Sequence, residues 1–219
     1  MSNSTVSRKT AVLSGVTYGI GVEVTLKLVA QGYNICLLTH RATDARNLKN
    51  KIVALGKDCE IYLCNVDDSN EINNTYQKIM DRFGQIDLVF TNMGLMPDSL
   101  HYPKKPVYQL TTLEWRNYLE TTLMGVINST DLAAKVMKNN MNGGLIFATA
   151  LYGMIPKANY GLYVVSRSAI RALIETVNIE FEKINKPVNA YLMAPEQIKD
   201  LPNEVIARVR THGESKINF

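Results

Sequence analysis

The stretch Ser14-Gly-Val-Thr-Tyr-Gly-Ile-Gly21 decides the fold, because it joins a short apolar run to an amphipathic helix. A sharp strand-to-helix turn needs a residue without a Cβ, and Gly15 can supply it. Gly19 and Gly21 would let a pyrophosphate approach the backbone and let the helix pack on the sheet. The helix N-terminus offers free N–H groups and a positive partial charge to phosphates. The stretch predicts a dinucleotide-binding turn; the alternative interpretation is a tight turn whose glycines serve folding alone.

Apolar runs and helical segments alternate outward from this turn. Strands are predicted over residues 10–13, 34–39, 60–66, 86–90, 145–148 and 188–193. Helices are predicted over residues 19–31, 42–55, 68–84, 111–138 and 160–184, and the third and fourth of them open with capping boxes. This alternation predicts βαβ units. We therefore expect a single α/β domain, residues 1–219, with a Rossmann-like doubly wound parallel sheet in a three-layer αβα arrangement.

Composition narrows the classes of function. The chain has 219 residues, 46% of them hydrophobic, and a net charge of +4 without any block of Lys or Arg, so a nucleic-acid binder is not indicated. No apolar run reaches the length of a membrane span. The three cysteines form no CxxC motif and the start of the chain lacks a signal-peptide stretch, which predicts a cytoplasmic protein. Three widely separated histidines predict no metal site: His40, His101 and His212.

The end of the second predicted strand bears on the choice of dinucleotide. An acidic residue there would accept the ribose hydroxyls of NAD, but this chain has Thr39-His40-Arg41. No carboxylate would repel a 2′-phosphate, and Arg41 could bind one. This favours NADP(H) over NAD(H); the alternative is that Arg41 is a solvated residue at a strand end.

Over residues 8–200 the sequence resembles the short-chain dehydrogenase/reductase superfamily. The family's TGxxxGxG motif appears as Ser14 to Gly21, its NNAG segment as Thr91-Asn-Met-Gly94, and its YxxxK motif as Tyr163 to Arg167. Its acidic residue near the adenine corresponds to Asn65, and its Pro-Gly pair to Pro195-Glu196. The resemblance implies these cofactor-binding residues: Ser14, Gly15, Thr17, Tyr18, Gly19, Ile20, Gly21, Arg41, Asn65, Val66, Asn92, Gly94, Tyr163, Arg167, Pro195 and Ile198.

The family's catalytic positions are mostly substituted. Its serine corresponds to Ala150, its asparagine to Thr122 and its lysine to Arg167, so only Tyr163 is kept. The resemblance implies that Tyr163 donates a proton to a carbonyl oxygen while NAD(P)H delivers hydride. Arg167 lies four residues later on the same helix face, where its charge would lower the pKa of Tyr163. A guanidinium stays protonated and cannot relay a proton.

The resemblance also bears on the C-terminus and on assembly. Only 24 residues follow Pro195, which implies a shortened substrate lid and no seventh strand. The two long helices, about residues 112–138 and 160–184, would remain available for a homodimer or tetramer. They carry apolar residues that could face a partner or the sheet: Leu119, Leu123, Ile127, Leu173 and Val177.

Three functions remain open at this point. The first is an NADP(H)-dependent reductase or dehydrogenase of a small carbonyl, enone or imine, with Tyr163 and Arg167 as catalytic residues. The second is a protein that binds the cofactor without redox turnover, as a structural partner or a non-redox catalyst, which the substituted positions favour. The third is a lyase similar to halohydrin dehalogenases, which carry Tyr-x-x-x-Arg; Ala150 and the intact glycine turn oppose it.

Overall fold

The computed structural model describes residues 9–17, 19–94, 101–140, 143–149 and 156–193. Six parallel strands form one sheet in the order β3-β2-β1-β4-β5-β6. Their bounds are β1 Thr10–Ser14, β2 Asn34–Thr39, β3 Cys59–Leu63, β4 Leu88–Thr91, β5 Gly144–Thr149 and β6 Val188–Met193. This is the strand order of a doubly wound Rossmann sheet, so the predicted fold class is confirmed.

Helices cover both faces of the sheet. They are α1 Ile20–Ala30, α2 Ala42–Ala54, α3 Ser69–Phe83, α4 Thr112–Leu119, α5 Gly125–Met137 and α6 Gly161–Lys183. One core cluster joins α1 and α2 to the sheet, and a second joins α3, α5 and α6 to the opposite face. Side chains of β1 alternate between the two clusters, with Leu13 in one and Val12 in the other. Strands buried on both faces read as continuous apolar runs, which is why their positions are visible in the sequence.

The strand order reverses beside β1, which lies between β2 and β4. The register pairs Ser14 with Thr91, so the turn after β1 and the segment after β4 leave the sheet side by side. In open α/β sheets, ligands bind in the crevice at this reversal, outside the carboxyl ends of the strands. The topology therefore places the glycine turn at the edge where a site is expected.

Strand β3 differs from its prediction, because it ends at Leu63 rather than at residue 66. The chain leaves the sheet there, and the Asn65 N–H donates to Glu71 Oε2 over 2.8 Å. Asp68 caps α3 as predicted by accepting from the Asn70 and Glu71 N–H groups. The reciprocal bond of the predicted capping box goes to Asn65 instead of Asp68, whereas the box of Thr111 and Glu114 is complete.

Three features complete the comparison of the fold with its predictions. The three cysteines, which form no CxxC motif in the sequence, are buried free thiols. Within the described ranges, no helix combines the length and the apolar character that a membrane crossing requires. The predicted short lid and missing seventh strand concern residues after 193, which lie outside the described part of the chain.

The turn after β1 should tolerate no side chain at Gly15. A Cβ there would lie 2.0 Å from the Asn92 carbonyl oxygen, and Gly15 has a φ of +66°. We expect Gly15→Ala to lower the free energy of unfolding by about 3 kcal/mol or more, combining overpacking with left-handed backbone strain. Urea denaturation measures this loss.

Gly56→Ala is the matched control. Gly56 has a φ of +69°, yet a Cβ there would meet nothing within 4 Å. It should cost only the strain of the left-handed backbone, about 1–2 kcal/mol. Equal losses in the two variants would contradict the close contact between Gly15 and Asn92.

Candidate active site at the carboxyl edge of the sheet

The glycine turn is held against the end of β4. The Asn92 N–H donates to the Ser14 carbonyl over 3.0 Å, and Asn92 Nδ2 donates to the Gly15 carbonyl over 2.9 Å. The backbone of Gly15 lies directly on the backbone of Asn92, at a distance that only a residue without a Cβ allows. Two segments of the predicted site, the turn and the Asn92 segment, therefore form one rigid unit.

The start of α1 has the features of a phosphate cradle. Gly19 has φ +57° and ψ −138°, a conformation essentially restricted to glycine, and a Cβ there would point into open space. The N-cap residue Gly19 makes no side-chain hydrogen bond to the first N–H groups of this helix. Gly21 packs on Val16, where a Cβ would lie 2.4 Å from Val16 Cα. These residues fit a dinucleotide pyrophosphate at the positive end of the helix.

The predicted adenosine-side residues line the neighbouring strand ends. Arg41 precedes α2, and its side chain is 67% exposed beside β2. The Thr39 hydroxyl brackets the Arg41 backbone, accepting from its N–H over 3.2 Å and donating to its carbonyl over 3.1 Å. Asn65 is exposed after β3, and Val66 is buried. Arg41 thus places a cation at this rim, with its backbone held by Thr39 and its side chain largely exposed.

Tyr163 and Arg167 lie one turn apart on α6 and are both buried, at 2% and 3% exposure. The Arg167 guanidinium lies 4.9 Å from the centre of the Tyr163 ring. Arg167 Nη2 donates a hydrogen bond to the Met93 carbonyl over 2.9 Å. The arginine therefore connects the tyrosine to the same Asn92–Gly94 segment that supports the glycine turn.

Gly94 makes room for this arrangement. A Cβ on Gly94 would lie 2.9 Å from Arg167 Nη2, 2.9 Å from Thr122 Oγ1 and 2.5 Å from Thr122 Cγ2. Thr122 is fully buried in a π-helical segment, Glu120–Met124, which interrupts the single long helix predicted over residues 111–138. π-Helical turns are frequent at functional sites, and this one places Thr122 beside Gly94, which Arg167 also approaches.

Two hydroxyl-bearing residues of the site were missed by the sequence analysis. The Tyr118 hydroxyl forms hydrogen bonds with Thr122 and Ser166, and burial raises the pKa of Tyr118 to about 12. The Tyr102 hydroxyl accepts from the Tyr163 N–H over 3.2 Å. Tyr118 lies at helical spacing from other apolar residues, so the sequence pattern indicates only a core position. Tyr102 lies in a loop without a periodic pattern. Neither carries a signal of its own.

Burial and charge act in opposite directions on Tyr163. Burial is the larger effect and raises the pKa of Tyr163 above its ordinary value, while the charge of Arg167 and its hydrogen bond lower it. The expected direction of the Arg167 effect is confirmed, but the net shift is upward. The net effect therefore favours the protonated phenol of Tyr163 over its phenolate.

The structure brings some of the residues named from the sequence into contact, which leaves their roles as predictions. Four of them meet directly at the junction of β1, β4 and α6: Gly15, Asn92, Gly94 and Arg167. Tyr18, Pro195 and Ile198 lie outside the described residues, as do Ala150 and the lid.

The comparisons with known proteins agree with this fold. A family model described as short chain dehydrogenase matches residues 9–203. The chain is 25% identical over 183 residues to a 3-oxoacyl-[acyl-carrier-protein] reductase FabG of Staphylococcus aureus, covering 83% of this chain and 72% of the relative. A reductase of that name from Thermotoga maritima is 22% identical over 182 residues, with 83% and 72% covered.

Two solved structures share the fold. A metagenomic short-chain oxidoreductase in complex with NADP superposes with a TM-score of 0.79 at 22% identity, covering 95% of this chain and 93% of that one. An alcohol dehydrogenase from the archaeon Thermococcus sibiricus, complexed with 5-hydroxy-NADP, gives 0.76 at 21% identity, with 94% and 92% covered.

Alkaline titration should show Tyr163 as a late-ionising phenol. The difference in tyrosinate absorbance between the wild type and Tyr163→Phe should appear at a higher pH than the ionisation of free tyrosine, because burial raises the pKa of Tyr163 above its usual value. In Arg167→Met the onset should move higher still, since the lowering effect of the cation is lost. A Tyr163 ionisation step near neutral pH in the wild type would contradict this assignment.

Proposed function

The chain belongs to the short chain dehydrogenase family, and from that premise we propose that it is an NADP(H)-dependent reductase of a small carbonyl, enone or imine substrate. The observation that carries the proposal is that the glycine turn and the Tyr163–Arg167 pair meet at the carboxyl edge of the sheet. The open glycine turn lies on Asn92, and Arg167 reaches the next residue, Met93, from beside Tyr163. A cofactor on the turn would thus have a proton donor at its reactive end.

Tyr163 would supply the proton in this reaction. NADPH held at this site would be the source of hydride for the substrate carbon, and the Tyr163 hydroxyl would donate its proton to the substrate oxygen or nitrogen. Its raised pKa keeps the proton in place before reaction. Arg167 then stabilises the phenolate that the donation leaves, through its positive charge and its hydrogen bond. Because Arg167 cannot relay a proton, Tyr163 Oη regains its proton from solvent water.

Substrates that need little oxyanion stabilisation suit this site. The family's serine position carries Ala150, so a hydrogen bond to a developing oxyanion is missing there. Losing one such donor typically costs about 10²–10³ in rate. An imine or a conjugated enone develops less charge on oxygen than a plain ketone, which is why we include them beside small carbonyls.

NADP(H) is the proposed cofactor, in preference to NAD(H). Arg41 offers a cation at the end of β2, and no acidic residue stands at Thr39 or His40. Two similar structures are described as complexes with NADP or 5-hydroxy-NADP, which agrees with this proposal. The residues proposed to hold the cofactor are those named from the sequence.

A second candidate is a protein that binds the cofactor without turning it over. Ala150, Thr122 and Arg167 stand at the three substituted positions and favour it. A dehalogenase-like lyase would fit Arg167 as well, but the open cradle at Gly19 is a feature that such a lyase does not need.

We also propose a homodimer or tetramer formed through the long helices. The apolar residues suggested for this from the sequence pack largely inward, since Val177 is buried and Leu123 and Leu173 pack on the core. Other apolar side chains of these helices are exposed instead: Leu113, Met124, Val165 and Ile179. The proposed partner is a second copy of the chain, and the proposed compartment is the cytoplasm.

The proposed function predicts nucleotide binding and Tyr163-dependent reduction. NADPH at a hundredfold excess over its Kd should stabilise the fold by about 2.7 kcal/mol. With an enone, imine or small ketone as substrate, NADPH oxidation followed by absorbance should fall about 100-fold or more in Tyr163→Phe, because the general acid is removed.

Cofactor affinity separates this role from a purely structural one. Tyr163→Phe should still bind NADPH, with a loss of affinity far smaller than its loss of turnover, since the substitution keeps the ring and removes only the hydroxyl. Binding without turnover of any of the three substrate classes would favour the second candidate. Failure of the wild type to bind either nucleotide would overturn the proposed function.

A further inference from the structure

Arg41, the residue proposed to recognise a 2′-phosphate, is already engaged by a carboxylate. Arg41 Nε lies 3.1 Å from Asp44 Oδ2, three residues later in the first turn of α2. Arginine recognises phosphate best when two adjacent N–H groups of its planar fork bind two oxygens. Asp44 occupies one edge of that fork.

The surroundings of Asp44 hold its carboxylate in this position. The Asp44 N–H donates to the Arg41 carbonyl over 3.2 Å, and the Thr43 hydroxyl donates to Asp44 Oδ1 over 3.3 Å. A negative charge in the first turn is also favoured by the partial positive charge of the helix N-terminus. Asp44 is one-third exposed, so it is fixed by its neighbours without being buried.

A bound 2′-phosphate would therefore compete with Asp44 for the same guanidinium. Either Arg41 keeps part of its bond to Asp44 and binds the phosphate with fewer N–H groups, or it turns away and leaves the carboxylate unpaired. Both outcomes weaken NADPH binding. NADH has no 2′-phosphate, so its binding leaves the pair intact.

We infer that Asp44 is a specificity-determining residue that restrains the preference for NADP(H) by competing with the cofactor's 2′-phosphate for Arg41. The inference rests on the proposed function, because it concerns the same cofactor site. According to this inference, the acidic residue that reduces the difference in affinity between NADPH and NADH is Asp44 of α2. It is not a residue at the end of β2.

The test is a set of dissociation constants for NADPH and NADH at low ionic strength. Asp44→Asn should tighten NADPH binding about three- to fivefold, the scale of an exposed ion pair, and leave NADH unchanged. In an Arg41→Ala background the same substitution should give a clearly smaller gain, because the shared cation is gone. Added salt should shrink the effect in both backgrounds.

Asp81→Asn is the matched control. Asp81 is an exposed carboxylate in the last turns of α3, where the helix leads into the start of β4. It accepts a hydrogen bond from Gln77 Nε2 over 2.8 Å. Removing its charge should leave both dissociation constants unchanged. Thermal unfolding of each variant checks that the fold is retained, as expected for surface positions.

Three outcomes would overturn the inference while leaving the proposed function standing. Asp44→Asn could leave NADPH affinity unchanged, tighten NADH by the same factor, or act undiminished without Arg41. If the wild type binds neither nucleotide, the proposed function and this inference fail together.

Discussion

The close contact between the backbones of Gly15 and Asn92 is the constraint on which the rest of the site depends. It brings the turn after β1 onto the end of β4, where Asn92 Nδ2 and the Asn92 N–H close the junction. The next residue, Met93, receives the Arg167 guanidinium through its carbonyl. A cofactor cradle and a buried tyrosine–arginine pair are thus joined through three consecutive residues of one strand end. Any change that moves Asn92 should displace both.

Burial gives the tyrosine–arginine pair its chemical character. An exposed tyrosine beside a cation would ionise more easily, but Tyr163 is almost fully buried, and desolvation outweighs the cation. Burial therefore favours the protonated phenol, which suits the acid role proposed for Tyr163. Arg167 adds charge and a rigid fork in place of a group that can pass a proton on. The neighbouring hydroxyls of Tyr118, Thr122 and Ser166 keep this buried surface polar.

The sequence predicts the fold and part of the candidate site, because those features are marked by local motifs or by periodic patterns. Apolar runs, glycine breaks and capping residues locate every strand of the sheet, and Gly15 and Tyr163 carry recognisable spacings. The sequence places the end of β3 at Val66, because Val66 continues an apolar run. In the structure the strand ends at Leu63, and the Asn65 N–H donates to Glu71 outside the sheet. Tyr118 and the π-helical turn at Thr122 depend on tertiary packing between helices, which no local pattern reports. Asp44, the partner of Arg41, lies at an ordinary helical spacing, and the ion pair is recognised only from the 3.1 Å between Arg41 Nε and Asp44 Oδ2 in the structure.

The most direct test of the account is a structure of the chain determined with bound NADPH. The account predicts the pyrophosphate over the first turn of α1 at Gly19 and the nicotinamide ring beside Tyr163, with room for a substrate atom about 3–3.5 Å from the hydroxyl. A nucleotide bound elsewhere, or one whose nicotinamide points away from Tyr163 and Arg167, would contradict it.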